Sequence, residues 1–291
     1  MPAPSCEHPD ATQELDRFGP IRGNAWRRDL WPDEIDDELP GSDATARDRE
    51  VAARAERFLQ ERDRARPFLL VLFLDASHLP YTFPPETARF TPYTERLYYS
   101  EMADGVADPR PVVNRYRNAL ASVDRTAGDI LAAAGRAGVL ERAVVVVAGD
   151  HGQALLEHGL IGHNTAFDRL QTGTPLLLRI PGVPPSVRSD LTRHVDLVPT
   201  LLPLLGVENP PEDYTVGRSL LGGGPSPADA VACNARACAV MDGSDDATVF
   251  PLRGPTIAYE VRGPDGRRRP AGTPPAPGLR RARQEIAAFL E

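Results

Sequence analysis

Val144-Val-Val-Val-Ala-Gly-Asp-His-Gly152 is the stretch on which the fold of this chain turns. Five small or β-branched apolar residues, Val144 to Ala148, predict a fully buried strand. A glycine, an acid, an imidazole and a second glycine follow at once. In an open α/β sheet the ligand crevice lies beyond the carboxyl ends of the strands, so Asp150 and His151 are expected to project there. Gly149 and Gly152 permit a tight turn and the close approach of a ligand. A carboxylate oxygen beside a neutral imidazole nitrogen suits Zn²⁺ or Mn²⁺. A structural alternative fits these few residues equally well, with Asp150 capping a helix and His151 simply exposed at the turn.

Composition narrows the classes. With 291 residues, 41% of them hydrophobic, the chain can bury a sizeable core as one large domain, or one with a small appendage. A net charge of −8 argues against a nucleic-acid or anionic-membrane surface, which calls for a basic face. All 33 basic residues are arginine, and no lysine occurs. Three cysteines are too few for a disulfide framework. Cys233 and Cys238 could pair or stand as ordinary buried thiols, and thiols are the expectation. The N-terminus, Met-Pro-Ala-Pro-Ser-Cys-Glu-His, has no basic n-region and no apolar h-region. No run approaches the ~20 apolar residues of a membrane helix, so the chain as written is expected to be soluble and unexported.

In chain order, residues 1–66 form a polar segment and one helix. The acidic run Asp33 to Glu38 reads as a solvated loop or short helix. Ala46 to Arg64 predicts an amphipathic helix capped by Thr45 or Asp43, with Val51, Ala55, Phe58 and Leu59 on one face. Residues 67–222 form the α/β core. Phe68 to Leu74 predicts a buried strand running into Asp75-Ala-Ser-His78-Leu-Pro-Tyr81. A long proline-rich excursion follows, of a kind that often carries function. Val113 to Arg136 predicts a helix with Tyr116, Leu120, Val123, Ala127, Ile130 and Ala134 as its core stripe. With the Val144 strand this makes a parallel, right-handed strand–helix–strand unit. Pro175 to Ile180 is another buried strand, and Arg193 to Gly206 a helix. Residues 223–291 form a β-rich end piece, with strands at 231–241, 248–252 and 256–261, a turn at Gly263-Pro-Asp-Gly266, and a terminal helix from Leu279 to Leu290.

The histidines cluster in the core. His78 directly follows a predicted strand; its alternative is a solvent-facing loop residue. His163 sits between Gly162 and Asn164, with a backbone-satisfied helix-end histidine as its alternative. His158 ranks below His163. Asp196, two residues from His194, is read as a cap or structural pair. Singly, each structural alternative prevails; jointly, His78, Asp150, His151 and His163 point to a metal-dependent ester site.

Asp-Ala-Ser-His78-Leu-Pro-Tyr, Ala-Gly-Asp150-His151-Gly, Gly-His163-Asn and His194-Val-Asp-Leu-Val-Pro-Thr stand in an order and spacing that resemble the sulfatase branch of the alkaline phosphatase superfamily. The closest likeness is to sulfatase-like inner-membrane proteins, over roughly Pro67 to Leu221. Asn114 to Asn118 and Asn209 to Arg218 add to it. The resemblance implies an alkaline-phosphatase-like sheet flanked by helices, truncated at its N-terminus. It implies metal-dependent hydrolysis or head-group transfer on phosphate or sulfate esters. Asp150 and His151 become ligands of a divalent metal (Zn, Mn, Mg or Ca), and His78 and His163 contact the transferred group or a second metal. The implied partners are a phosphate- or sulfate-ester substrate or a lipid head group, with an N-terminal membrane segment or partner absent from this chain. The implied location is the extracytoplasmic face of the inner membrane.

The sequence also departs from the family. Members begin with a strand ending in an acidic ligand, followed by a Thr, Ser or Cys nucleophile, whereas Ile35-Asp36-Asp37 has no apolar run ahead of it. Family sulfatases hold the sulfate with lysines, and their absence here moves the expectation towards phosphate or phospholipid head groups, or towards no turnover at all. A non-catalytic sulfatase-like module that binds a lipid head group or protein partner is the competing expectation.

Overall fold

The computed structural model describes residues 43–97, 107–222, 226–243, 246–252 and 258–290. The expected acidic run at 33–38 lies outside them. The chain divides into two compact units, residues up to 143 and residues from 144 onward. Among the described residues no helix is long and apolar enough to cross a membrane.

The first unit is built on two helices. Helix α1, Ala44–Glu61, starts at Asp43, whose carboxylate accepts the Ala46 N–H at 2.8 Å, so of the two expected caps Asp43 is the one used and Thr45 lies inside the helix. Val51, Ala55 and Leu59 are its buried apolar face. Helix α2, Arg110–Arg136, buries Val112, Ala119, Thr126 and Ala133, which lie seven apart and therefore two turns apart along one line. This line runs beside the stripe predicted from hydrophobicity, and Leu120 of that stripe stays 41% exposed. α2 packs on α1, and small residues such as Ala119 and Ala133 let two helices approach closely, so packing rather than side-chain size selects the face.

The strand expected at Phe68 to Leu74 is not formed. These residues belong to no strand, and Leu69, Val71 and Phe73 are each more than half exposed. Phe68 is anchored, edge-on to Phe58 at 5.5 Å and against the Leu59, Ala133 and Val139 cluster, and Leu70, Leu72 and Leu74 are likewise half-buried. β-propensity expresses a fit to neighbouring strands, and with no ladder partner among the described residues the segment is extended chain.

The second unit opens with β1, Val145–Ala148. A hairpin of β2, Ala154–Leu155, and β3, Ile161–Gly162, follows. The one-turn helix α3, Arg169–Thr172, leads into β4, Leu176–Arg179. β1 pairs with β4 in antiparallel register. The expected parallel strand–helix–strand unit is therefore replaced, among the described residues, by an antiparallel ribbon. Nor is β1 fully buried, since Val146 and Val147 are 37% and 40% exposed and Leu177 opposite them 65%. A two-stranded ribbon cannot cover both of its own faces.

The turn after β1 is set by close backbone passage. Gly149 and Gly152 donate their N–H groups to the carbonyls of Pro175 and Gln171 at 3.1 and 2.9 Å. A Cβ on Gly152 would stand 2.1 Å from the Leu170 carbonyl oxygen and 2.8 Å from that of Gly173. α3 thus passes over residue 152 at a distance that only glycine admits. The helix expected at 193–206 is broken into a 3₁₀ turn at His194–Asp196, helix α4 at Leu197–Leu201, and a second 3₁₀ turn ended by Gly206 at φ 85°.

At the C-terminal end, β5 (Ala230–Cys233), β6 (Ala237–Met241), β7 (Ala247–Pro251) and β8 (Glu260–Arg262) form the expected antiparallel sheet, in sequential order. The run read as a single strand at 231–241 is a hairpin. Helix α5, Leu279–Leu290, lays Leu279 and Ala282 on Cys238, Val240 and Phe250. The other face, Ala239, Ala247 and Val249, meets Phe167. The thiol expectation is overturned as well: Cys233 and Cys238 are directly opposed in the β5–β6 register, with Cα atoms 4.0 Å apart, and form a disulfide. Hairpin pairing brings together two cysteines that sequence spacing alone leaves ambiguous.

Two consequences are measurable. Cys233→Ser is expected to cost about 2 kcal/mol, the loop-closure value for so short a ring, and a reductant should lower the wild-type denaturation midpoint but leave the variant's unchanged. Gly152→Ala is expected to cost about 2–3 kcal/mol through backbone overlap. Its control is Gly128→Ala on α2, where a Cβ meets nothing within 4 Å and which should stabilise by about 0.5–1 kcal/mol. Equal denaturation midpoints for the two alanine variants would refute the close passage of α3.

Candidate functional site

Asp150 and His151 occupy the turn delivered by β1. The Asp150 carboxylate accepts the His151 N–H at 2.9 Å through Oδ1, which leaves Oδ2 on the outer side of this local bond. The His151 ring donates from Nδ1 to the Gly152 carbonyl at 2.8 Å. In the neutral ring such a bond leaves the lone pair on Nε2, and Nε2 stands 3.7 Å from Asp150 Oδ2. Asp150 is 66% exposed and His151 36% exposed at their side chains, so both face solvent.

His163 is brought to His151 by the β2–β3 hairpin. The register pairs Ala154 with Gly162, so the next residues outward, Gln153 and His163, also lie opposite one another. His163 Nδ1 is 3.4 Å from Gln153 Oε1. The His163 ring stacks on His151 with centroids 3.8 Å apart and planes inclined by 28°. The sharp exits around this hairpin rely on positive φ at Leu156, Gly162 and Asn164. His158 lies exposed in the hairpin's turn, away from the stacked pair.

Sequence reasoning missed the supports. Gln171 receives the Thr165 and Ala166 N–H groups on Oε1 at 3.0 and 3.2 Å and donates to Thr165 Oγ1 at 2.8 Å. Its own carbonyl holds Gly152, and Asp168 caps its N–H at 3.0 Å. His194, read in the sequence only as part of a motif, donates from Nε2 to the Gly149 carbonyl at 2.8 Å. Its spacing from the buried Asp196 was the one available signal. Asp196 is 0% exposed and takes the Arg193 and Arg218 N–H groups and the Arg193 guanidinium, the structural role expected of it.

His78 belongs to the first unit. Its Nδ1 donates to the Leu79 carbonyl at 2.9 Å, and it lines a surface cleft with Arg47, Asp75, Leu79 and Thr82.

As a metal site, Asp150 Oδ2 and His151 Nε2 have the donor chemistry expected for a divalent ion. They could supply two donors to such an ion, and among the described residues no group of three or more His, Cys, Asp or Glu side chains converges on one point. The pair fits as half of a coordination shell.

Comparison with known proteins gives the context. The sulfatase family model matches residues 10–207, which reaches further towards the N-terminus than the motifs at 67–221. The extracellular sulfatase SULF-1 homolog of Drosophila melanogaster is 28% identical over 182 residues, 56% of this chain and 16% of that protein. The uncharacterized sulfatase YidJ of Escherichia coli K12 is 28% identical over 186 residues, 55% of this chain and 36% of its own length. The chain thus spans little more than a third of these curated relatives at most. Among solved structures, the phosphonate monoester hydrolase of Agrobacterium radiobacter superposes with a TM-score of 0.57 at 20% identity, over 86% of this chain and 61% of that one. The fold is accordingly sulfatase-like and alkaline-phosphatase-like, with its antiparallel sheet at the C-terminal end. With the family model matching well over half of its residues, the chain belongs to the sulfatase family.

Proposed function

We propose that this chain carries part of the active site of a metal-dependent hydrolase of phosphate or sulfate esters. The observation that carries the reading is the Asp150–His151 turn with His163 stacked on it, in a chain of this family. Asp150 and His151 are the metal ligands. A bound divalent cation supplies charge neutralisation and polarisation of an ester oxygen. The exposed placement of both ligands leaves room for a substrate oxygen beside them. His163, held edgewise by Gln153, donates a hydrogen bond to the transferred group or a proton to the leaving oxygen. His78 makes a second contact to the transferred group. The absence of lysine favours phosphate over sulfate.

Head-group transfer to a lipid acceptor is the same chemistry with another nucleophile, and belongs to this proposal as a variant. So do an N-terminal membrane segment or partner supplied from outside this sequence and an extracytoplasmic location. The Cys233–Cys238 bond supports that location, because disulfides persist in oxidising compartments. One observation favours a second reading, a non-catalytic module binding a lipid head group or protein partner: the described ligand set stops at two donors.

Metal-dependent melting decides between them. Zn²⁺ or Mn²⁺ at a hundredfold excess over Kd is expected to stabilise the wild type by about 2.7 kcal/mol and to leave Asp150→Ala and His151→Ala unmoved. An aryl phosphate should then be turned over faster than the matching aryl sulfate. Absence of any metal effect in the wild type rejects the hydrolase reading and puts the non-catalytic module first. Stabilisation that survives both substitutions places the metal elsewhere.

A further inference from the structure

We infer that Asp48, on helix α1, is a positioning residue that sets the turn presenting His78. The inference deepens the reading of His78 as a contact to the transferred group, and rests on it. Asp48 is 2% exposed and lies 27 residues before the turn it holds. One carboxylate oxygen accepts the Asp75 N–H at 2.7 Å and the other the Ala76 N–H at 3.0 Å. Two successive backbone donors are thereby taken by a single side chain, at the point where the extended segment 68–74 becomes the His78 turn.

Around this bond the turn is held on both flanks. On the α1 side, Arg47 Nη2 pairs with Asp75 Oδ2 at 2.7 Å, and Thr45 Oγ1 donates to Thr82 Oγ1 at 3.0 Å. On the α2 side, Arg115 Nε donates to the Pro80 carbonyl at 2.7 Å. Tyr81, fully buried and at φ 59°, stands edge-on to Tyr116 at 5.1 Å. Within the turn, His78 N–H donates to the Asp75 carbonyl, Tyr81 N–H to the His78 carbonyl, and Thr82 N–H to the Ala76 carbonyl. His78 is the exposed apex of this arrangement.

Stability gives a poor account of Asp48. Burying a carboxylate is costly even when it is hydrogen-bonded, and desolvation holds the Asp48 carboxyl above its ordinary range against the opposing pull of the two backbone N–H groups. A helix face packed for stability alone is better served by an apolar side chain. A buried carboxylate that ties down consecutive amides beside a candidate site residue is instead how a backbone is fixed for a task. Asp43, Arg47, Asp75 and His78 are the charged or titratable groups that line the neighbouring cleft.

The test uses the full chain with Asp48→Asn and Asp48→Glu. Amide hydrogen exchange is read at Asp75, Ala76 and along α1 and α2, and the His78 Cε1–H resonance, assigned with His78→Gln, is followed through titrations with inorganic phosphate and sulfate. In Asp48→Asn, protection at Asp75 and Ala76 is expected to fall about tenfold while the helix amides keep theirs. The His78 resonance should shift, and its response to phosphate should weaken. Asp48→Glu keeps the charge but is one methylene too long to seat both oxygens, so it should show the same selective loss. Wild-type protection in either variant, or a loss spread evenly over both helices, overturns the inference. A wild-type His78 resonance indifferent to both anions rejects the reading of His78 itself, and the positioning claim is then decided by the exchange at Asp75 and Ala76.

Discussion

The close passage of α3 over Gly152 is the constraint on which the second unit's site depends. The Leu170 and Gly173 carbonyls stand where a Cβ would be, so the chain leaving β1 must turn at once. That turn makes Asp150 bond back to the His151 amide and His151 donate to the Gly152 carbonyl. Two side chains that an unconstrained loop would leave free are instead given one orientation each by local geometry.

What holds α3 in place lies far along the sequence. Gln171, 4% exposed, ties α3 to residues 165 and 166 while its carbonyl holds Gly152. Phe167, between those attachments, packs on Ala239, Ala247 and Val249. The C-terminal sheet is closed on its other face by α5 and stapled across β5 and β6 by the disulfide. Side chains buried on two rigid faces are hard to displace. Order in the histidine pair therefore derives from a sheet that carries no site residue.

The sequence was legible wherever the signal was local. Asp43 as the cap of α1, the four-residue spacing of Val51, Ala55 and Leu59, the C-terminal sheet and α5 depend on neighbours within a few positions, and the structure keeps them. The family motif around Asp150 and His151 was legible for the same reason. Pairing was not. Runs such as Phe68 to Leu74 and Val144 to Ala148 announce extended apolar chain without saying what lies beside it, and both came out more exposed than their composition implies. The same ignorance of partners hid the Cys233–Cys238 bond, which exists because a hairpin register opposes the two residues. It also hid Gln153, Gln171 and Asp48, ordinary polar residues whose importance is created by what the fold brings to them.

The two units present their histidines by different physical means. His151 and His163 are oriented by glycine-enforced turns and by ring-on-ring contact, interactions that use little buried charge. His78 is presented by a turn pinned from two helices through a buried carboxylate, an ion pair and a guanidinium on a carbonyl. The first arrangement depends on a free backbone path at residue 152; the second depends on a carboxylate of the right reach at residue 48, seated on two amides at once. Within the second unit the presentation of His151 and His163 rests on shape; within the first, that of His78 rests on electrostatics. Substitutions that look alike on paper, a methyl added at Gly152 or an oxygen replaced at Asp48, then act through unrelated physics on residues of the same type.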